Sequence, residues 1–403
     1  MRISTVTMYE QSMNSLNQQQ GEFMRVGQQI ATGRKVVNPS DDPQAASRAV
    51  QVAQSMSVTE QYADSRVSAR NALSQEESVL NSVSDAIASA KTLMIQAASD
   101  TLSDADRASV ASDLRGVYET VIGQANATNG NGRHLFGGYQ DASEPFVRDA
   151  DGNVSYVGDT NTREQRIDAS RLMPVSDNGQ TIFQSVHSSA GYVAEVDPGN
   201  SGSLTFKGPQ VIDESDPDFG NSFQIEFDVT GGTTTYSVDG GPAQAYEEGK
   251  AVEVGGLSLT LKGEPADGDS IEMGKAENMN TDLFKTFEKA LAVLDEPAGN
   301  DAEKAARANT INTAMREFDN SLDNVLTVRA SVGARLNELD VVDGVSNNRQ
   351  LNYTETYSNL IGDLSDPANF AEVVSQYSLR QVSLQAAQKA FVDIKGMSLF
   401  DRM

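Results

Sequence analysis

The chain has 403 residues, with 57 acidic and 31 basic side chains, two histidines, and neither cysteine nor tryptophan. Without cysteine there is no thiol nucleophile, disulfide framework, iron–sulfur cluster or Cys-ligated zinc. The formal net charge of −26 excludes nucleic acid as a good partner, because such a surface repels the phosphate backbone.

No segment approaches the ~18 consecutive apolar residues of a membrane span, so no membrane insertion is expected. The N-terminus leads into polar sequence rich in Gln and Ser and lacks the apolar core of a secretory signal. These features predict a protein that is cytoplasmic or is exported without a cleaved signal.

Composition divides the chain into helical flanks and a turn-rich middle. Residues 135–276 hold 20 of the 32 glycines and 7 of the 11 prolines, with 24 acidic and 8 basic residues. Glycine and proline weaken helices and favour turns, so this acidic middle is predicted to be β-rich. We expect five segments: an N-terminal assembly helix with its connecting loop (1–42), the N-terminal part of a helical rod domain (43–134), a β-rich outer domain (135–276), the C-terminal part of the rod (277–364) and a C-terminal assembly helix (365–403).

A seven-residue repeat begins near the N-terminus. Steps of three and four residues connect Val6, Tyr9, Met13, Leu16, Gln20, Phe23, Gly27 and Ile30. This spacing is typical of a coiled-coil seam rather than of the broader apolar face of a globular helix. So short a helix is marginal alone, so we expect it to pack against the other terminus or a neighbouring copy.

Two further helices are predicted before residue 134. One starts at Asn38–Pro43, where Asp or Ser can cap and proline suits the first turn. The other starts at a capping-box-like pair, Ser103 and Asp106. The predicted seam of the first of these comprises Leu73, Leu80, Val83, Ile87, Ala90, Met94 and Ala97, and that of the second comprises Val110, Leu114, Val117 and Val121.

Alternation of apolar residues in the middle predicts hairpins. Residues 223–229 and 236–238 flank Gly231-Gly232, and residues 252–254 and 257–261 flank a second Gly-Gly pair. A third hairpin is expected around residues 151–152. The middle is predicted to be one small β domain or two poorly separated ones.

The C-terminal flank is predicted to be helical again. A short helix carries Phe284 to Leu294, and a longer register runs from Ile311 to Leu360, which is about 75 Å of helix. We expect a bend or a change of partner at Asp343-Gly344. The last helix repeats Phe370, Val374, Tyr377, Gln381, Leu384, Gln388 and Phe391. The predicted fold class is α+β, with a long antiparallel helical bundle or coiled coil built from both termini and a central domain of hairpins.

Potential metal ligands have simpler interpretations. Asp149, Asp151 and Asn153 imitate the start of a calcium loop, but the sixth position is not glycine and no glutamate closes the loop, so a hairpin turn is favoured. The cluster around Asp213 could attract a divalent cation, although a solvated acidic loop is favoured. His134 is expected to make a junction hydrogen bond.

No catalytic motif is present. There is no phosphate-binding loop followed by Lys-Ser or Lys-Thr, and no Gly-x-Ser-x-Gly elbow. Carboxylates are too abundant to indicate an acid–base pair. We therefore expect neither an enzyme nor a cofactor or metal site.

Four short segments at the two ends have a distinctive sequence: residues 1–5, 30–35 and 38–43 at the N-terminal end and residues 397–400 at the C-terminal end. Together they resemble the hook-associated protein 3 family, the hook–filament junction members of the flagellin superfamily. The resemblance covers both helical flanks and implies a structural adaptor of the extracellular flagellum. It further implies secretion through the flagellar type III export apparatus. The implied partners are the first junction protein (hook-associated protein 1), flagellin, neighbouring copies, and an export chaperone at the C-terminal region.

By the same resemblance, ten residues are assigned to assembly packing: Val6, Tyr9, Met13, Leu16, Phe23, Ile30, Tyr377, Leu384, Phe391 and Leu399. The alternative function is flagellin itself or another self-polymerising filament subunit. The start at residues 1–4 and the finish at residues 397–400 favour the junction protein. A carbohydrate-active or calcium-binding β module with helical arms is the remaining alternative.

Overall fold

The computed structural model describes residues 5–99, 101–150 and 152–400, and its internal contacts divide the chain into two compact units. The terminal unit comprises Met1–Asp64 and Val341–Met403, and the central unit comprises Ser65–Asp340. By sequence, the terminal unit has 10 basic and 13 acidic residues, and the central unit has 21 and 44. The central unit therefore carries −23 of the net charge of −26.

Seven helices are defined in the described residues. They are α1 (Thr5–Thr32), α2 (Pro43–Ala97), α3 (Asp104–Ala125), α4 (Gly179–Phe183), α5 (Leu283–Asp295), α6 (Asp301–Ile361) and α7 (Pro367–Phe400), with a 3₁₀ turn at Ala276–Asn278. None of these helices combines the length and hydropathy needed to cross a bilayer.

The predicted capping residues start two of the helices. Asp42 Oδ1 accepts a hydrogen bond from Gln44 N–H at 3.1 Å, so α2 begins at Pro43. Ser103 and Asp106 form a reciprocal capping box at the start of α3. Local sequence therefore sets these boundaries.

In the central unit, α2 and α6 run antiparallel. Ion pairs join Arg70 to Asp340 (2.6 Å) near one end and Glu77 to Arg329 (2.8 Å) further along. All seven seam residues predicted for α2 are buried. The prediction of a long antiparallel helical bundle is thus confirmed.

Helix α6 is continuous through the polar segment where a bend or a change of partner was predicted. Residues on both sides of Asp343-Gly344 remain helical. The division between the two units falls between Asp340 and Val341.

Twelve strands form four antiparallel sheets in the described residues. They are β1 (Phe146–Arg148), β2 (Val154–Tyr156), β3 (Glu164–Asp168), β4 (Arg171–Pro174), β5 (Tyr192–Val196), β6 (Thr205–Val211), β7 (Phe223–Thr230), β8 (Thr233–Val238), β9 (Gln244–Ala245), β10 (Ala251–Val254), β11 (Leu257–Lys262) and β12 (Ser270–Lys275). The strand orders are β1-β2, β3-β4, β10-β11-β6 and β5-β12-β7-β8-β9. The predicted hairpins correspond to β1-β2, β7-β8 and β10-β11.

The three-stranded and five-stranded sheets share one hydrophobic core. Phe206 of β6, Leu259 of β11, Phe227 of β7 and Met273 of β12 all belong to it. These side chains alternate with exposed ones along their strands, as in the pattern of β7. The two larger sheets are therefore a single packed body.

Asn309 of α6 joins the helical part of the central unit to this body. Its amide donates to Leu204 O at 2.8 Å and accepts from Phe206 N–H at 3.1 Å. Both groups of a buried amide are thereby satisfied by the backbone around the start of β6.

Candidate assembly interface

The two terminal helices α1 and α7 pack side by side in antiparallel orientation. The ring centroids of Tyr9 and Phe391 lie 5.3 Å apart, and those of Phe23 and Tyr377 lie 4.9 Å apart. Such ring pairs add ~0.5–1.5 kcal/mol beyond the area they bury. The two pairs fix the register of one helix against the other.

Six of the ten predicted assembly residues share this seam. They recur at every seventh position of each helix: Tyr9, Leu16 and Phe23 in α1, and Tyr377, Leu384 and Phe391 in α7. Met13 and Ile30 are 39% and 36% exposed, and Tyr9 is itself 41% exposed although its ring packs against Phe391. Val6 and Leu399 have side chains that lie outside the described residues.

Between these seventh residues, the side chains that pack against the partner helix lie one position before the ones that the repeat predicted. Val26 and Val373 are buried, whereas the repeat pointed to Gly27 and Val374. A three-then-four step and a four-then-three step both connect the same seventh residues, so the repeat alone cannot distinguish them. Val26 offers apolar surface to the partner helix where Gly27 offers none. The apolar Val26, three residues after Phe23, was the signal that could have identified this face, whereas Ser12 at the same distance from Tyr9 gives none.

Val26 and Val373 belong to a small hydrophobic core with Leu364, against which Tyr377 packs. The adjoining loops hold this core in place. Leu364 N–H donates to Gly33 O at 2.9 Å across the two chain segments. Gly33 has φ +70°, which glycine adopts without strain.

Polar groups beside the seam also fix the register. Arg380 of α7 forms an ion pair with Glu22 of α1. Asp363, which is bridged to Arg34 through the backbone, accepts a hydrogen bond from Ser365 N–H at 2.9 Å. That bond, together with one from the Ser365 hydroxyl, lowers the pKa of Asp363.

The paired helices leave many large apolar side chains exposed. Besides Met13 and Ile30, the exposed set includes Met8, Met24, Phe370, Val374, Leu379, Val382 and Val392. Those in α7 lie on several faces of that helix, which carries few charged residues. A helix that is apolar on most faces is normally buried on most faces. The α1–α7 pair therefore has the surface of an incomplete core.

The candidate metal ligands do not form a site. No group of three or more His, Asp or Glu side chains converges among residues 5–99, 101–150 and 152–400. Asn153 N–H donates to Asp149 Oδ1 at 2.9 Å within the predicted hairpin turn, while Asp151 lies outside the described residues. His134 Nδ1 lies 2.8 Å from Asn126 O, which is the predicted junction hydrogen bond.

Comparison with known proteins gives matches at both the sequence and the fold level. The profile of the bacterial flagellin N-terminal helical region matches residues 3–141. Flagellar hook-associated protein 3 of Escherichia coli strain K12 is 34% identical over 401 residues, which is 99% of each chain. The Salmonella typhimurium protein of the same name gives the same identity and coverage. The chain belongs to the flagellar hook-associated protein 3 family.

The fold of this family is also found in a solved structure. The flagellar junction protein FlgL from Legionella pneumophila has a TM-score of 0.66 and 24% identity, covering 78% of this chain and 100% of that one. Members of the hook-associated protein 3 family are structural and non-catalytic. The predictions of the family, of a structural role at the hook–filament junction and of the extracellular flagellum as its location are therefore confirmed.

Proposed function

We propose that this chain joins the hook to the filament by contacting the first junction protein on one side, flagellin on the other and neighbouring copies within its own layer. The observation that carries this proposal is the exposed apolar surface of the α1–α7 pair. Exposed apolar side chains in this number on one pair of helices are typical of a protein interaction surface.

The distribution of charge also supports an assembly role for the terminal unit. The terminal unit has a net charge of only −3, whereas the central unit carries −23. Interface centres are depleted in charged residues, so the terminal unit suits contacts with other subunits. The predicted segments 1–42 and 365–403 are accordingly proposed as the assembly helices, and 135–276 as the outer domain.

The ten predicted residues have two roles in this proposal. Tyr9, Leu16, Phe23, Tyr377, Leu384 and Phe391 hold α1 to α7. Met13 and Ile30, with Val6 and Leu399 by extension of the repeat, contact neighbouring subunits. Both roles occur on one repeat because two isolated helices of this length are marginal and gain stability when neighbouring subunits cover them.

Secretion through the type III export apparatus, with a chaperone on the C-terminal region, completes the proposal. Leu379, Val382 and Val392 of α7 are 62–64% exposed. In the cytoplasm such a helix would promote aggregation unless it were covered. A chaperone would cover it until export.

The test compares polar substitutions on the two units in a strain that lacks the native gene. M13Q/V374Q removes two exposed apolar side chains from the α1–α7 surface. L172Q is the matched control, because Leu172 is 56% exposed on the central unit. We expect M13Q/V374Q to leave hooks without filaments, with flagellin lost to the medium, and L172Q to restore filaments.

Both variants should be secreted in equal amounts and keep the wild-type circular dichroism. If M13Q/V374Q supports normal filaments, the exposed surface is not an assembly surface and the proposal fails. Growth of long polymers from purified wild-type protein seeded with filament fragments would instead support a filament subunit.

A further inference from the structure

The central unit has a basic cleft on an otherwise acidic body. The cleft has a volume of about 1000 Å³ and lies between α3, α6 and the sheet β10-β11-β6. Its charged lining residues are Arg107, Lys207, Lys262, Lys304 and Arg307, with Asp104 as the one acid. The cleft thus collects 5 of the 21 basic residues of the central unit but only 1 of its 44 acidic residues.

Part of this positive charge is neutralised within the chain, since Arg107 and Arg307 both pair with Asp104 and Lys304 pairs with Asp301. Lys207 and Lys262 are exposed on β6 and β11 and have no ion pair among the described residues. Arg107 is 6% exposed; its Nη2 donates to Ser99 O at 3.0 Å, but its Nε has no hydrogen-bond partner in the described part of the chain. A buried guanidinium with an unused donor is costly unless an acceptor reaches it. The cleft is therefore suited to an anionic ligand.

The same sheet carries an acidic segment at its opposite end. The loop of residues 212–218 follows β6 and contains Asp213, Glu214, Asp216 and Asp218, none of which has an ion pair in the described part of the chain. Val211 and Ile212 beside it are 46% and 53% exposed. We call residues 211–218 the acidic loop.

The acidic loop is held in a defined shape. Asp213 Oδ1 accepts from Ser215 N–H at 2.9 Å, and Asp216 Oδ1 accepts from Asp218 N–H at 2.9 Å. The loop is tied to the β10–β11 turn, since Ile212 N–H donates to Gly256 O at 2.8 Å. A segment ordered before binding loses less entropy on binding.

The acidic loop cannot occupy the cleft of its own chain. Thr205 pairs with Lys262 at one end of the sheet and Val211 pairs with Leu257 at the other. Six residues of strand separate the two ends, which is about 20 Å. A complementary partner must therefore come from another molecule.

We propose that the acidic loop of one copy of this chain binds the basic cleft of the next copy in the junction layer. The contact joins two different surfaces, and repeated head-to-tail contacts of this kind generate rings or helical arrays. Leu102, which is half-buried at the cleft, would contact the exposed side chains of Val211 and Ile212. This inference rests on the proposed function, since it requires neighbouring copies in one layer.

Cross-linking in isolated hook–filament complexes tests the contact directly. Because the chain has no cysteine, introduced thiols are the only ones it carries. S215C places a thiol on the acidic loop, and T260C places one in the cleft. With a short bis-maleimide, S215C/T260C should give a ladder of dimers, trimers and larger species, whereas each single-cysteine variant should give no ladder.

Charge reversal tests whether complementarity drives the contact. K207E/K262E in the S215C/T260C background should reduce the ladder at least tenfold. Adding E214K/D218K should restore it, because these two side chains make none of the hydrogen bonds that shape the loop. K250E is the control, since Lys250 is an exposed lysine outside the cleft and should leave the ladder unchanged.

The outcomes separate this inference from the proposed function. If S215C/T260C protein is present at hook tips and holds filaments but gives no ladder, the loop-to-cleft contact is refuted and the junction role stands. If the protein is absent from hook tips, the proposed function fails. Binding of polyphosphate to the purified protein, lost in K207E/K262E and accompanied by no ladder, would assign the cleft to a free polyanion and overturn the inference.

Discussion

Replacement of Glu76 by glutamine is expected to stabilise the central unit at neutral pH. Glu76 is 2% exposed, and its Oε1 accepts Asp177 N–H at 3.1 Å while its Oε2 has no partner. Arg335, the nearby cation, pairs with Asp177 and also donates to Pro174 O at 3.2 Å. Glu76 therefore shares one guanidinium with a second carboxylate.

This environment raises the pKa of Glu76 well above its usual value. Burial is the largest cause and the charge of Asp177 adds to it, while Arg335 opposes both. The folded protein therefore binds a proton at Glu76 more tightly than the unfolded chain, in which this carboxyl has its usual pKa of about 4.5. The stability that proton binding at Glu76 gives the folded state is fully present below about pH 4.5 and is lost as the pH rises through the pKa of Glu76 in the folded protein.

Glutamine keeps the acceptor for Asp177 N–H and replaces the unpartnered oxygen with an amide that can donate to the Asp177 carboxylate. A buried polar atom without a partner costs about 1–3 kcal/mol, and we expect E76Q to recover a gain of that size at pH 8. The melting temperature should rise by about 2–4 °C for each kcal/mol. The difference between E76Q and wild type should shrink towards pH 4.5.

Thermal unfolding of both proteins from pH 4.5 to pH 8 measures this difference. The control is E77Q, because Glu77 is the next residue and forms a partly exposed ion pair with Arg329. Its loss should cost at most about 1 kcal/mol at pH 8. A lower melting temperature for E76Q than for wild type at pH 8 would refute the reasoning.

Three further substitutions address the turn beneath the acidic loop, the sheet anchor and a helix cap. G256A should lower the melting temperature more than G231A, because both glycines have positive φ but only a Cβ on Gly256 would overlap a backbone oxygen; equal losses would contradict this. N309A should lower the free energy of unfolding in denaturant by about 2–3 kcal/mol, because it removes two buried hydrogen bonds to the backbone. A loss below about 0.5 kcal/mol, which is roughly half of one net hydrogen bond, would show that water replaces the amide. S103A should cost about 1 kcal/mol by removing the cap of α3, and unchanged stability would argue against the capping box.

Local signals in the sequence predicted most of the helices and hairpins. Pro43 and the Ser103 capping box start their helices where expected, and the Gly-Gly pairs lie in the turns of β7-β8 and β10-β11. These features depend on residues within one turn of each other. Short-range chemistry was sufficient for them.

Pairings between distant parts of the chain were not predictable in the same way. Strand β6 pairs with β11 although four strands, β7 to β10, lie between them in the chain. Asn309 of α6 bonds to the backbone around the start of β6. A single asparagine on a helical face carries no sign of which strand it will meet. The basic cleft likewise combines residues from four separate segments of the chain, so no charge run in the sequence marks it.

The ambiguity of the terminal repeat has a physical consequence. Tyr9 and Phe23 belong to both possible seams of α1, whereas Val26 belongs to one and Met13 to the other. The pairing with α7 uses the seam that contains Val26 and leaves Met13 exposed. Two overlapping seams make an apolar face broader than one antiparallel partner covers. A helix with a single partner gains no stability from the second seam. The exposed seam that contains Met13 is therefore the part of the repeat that would contact another subunit.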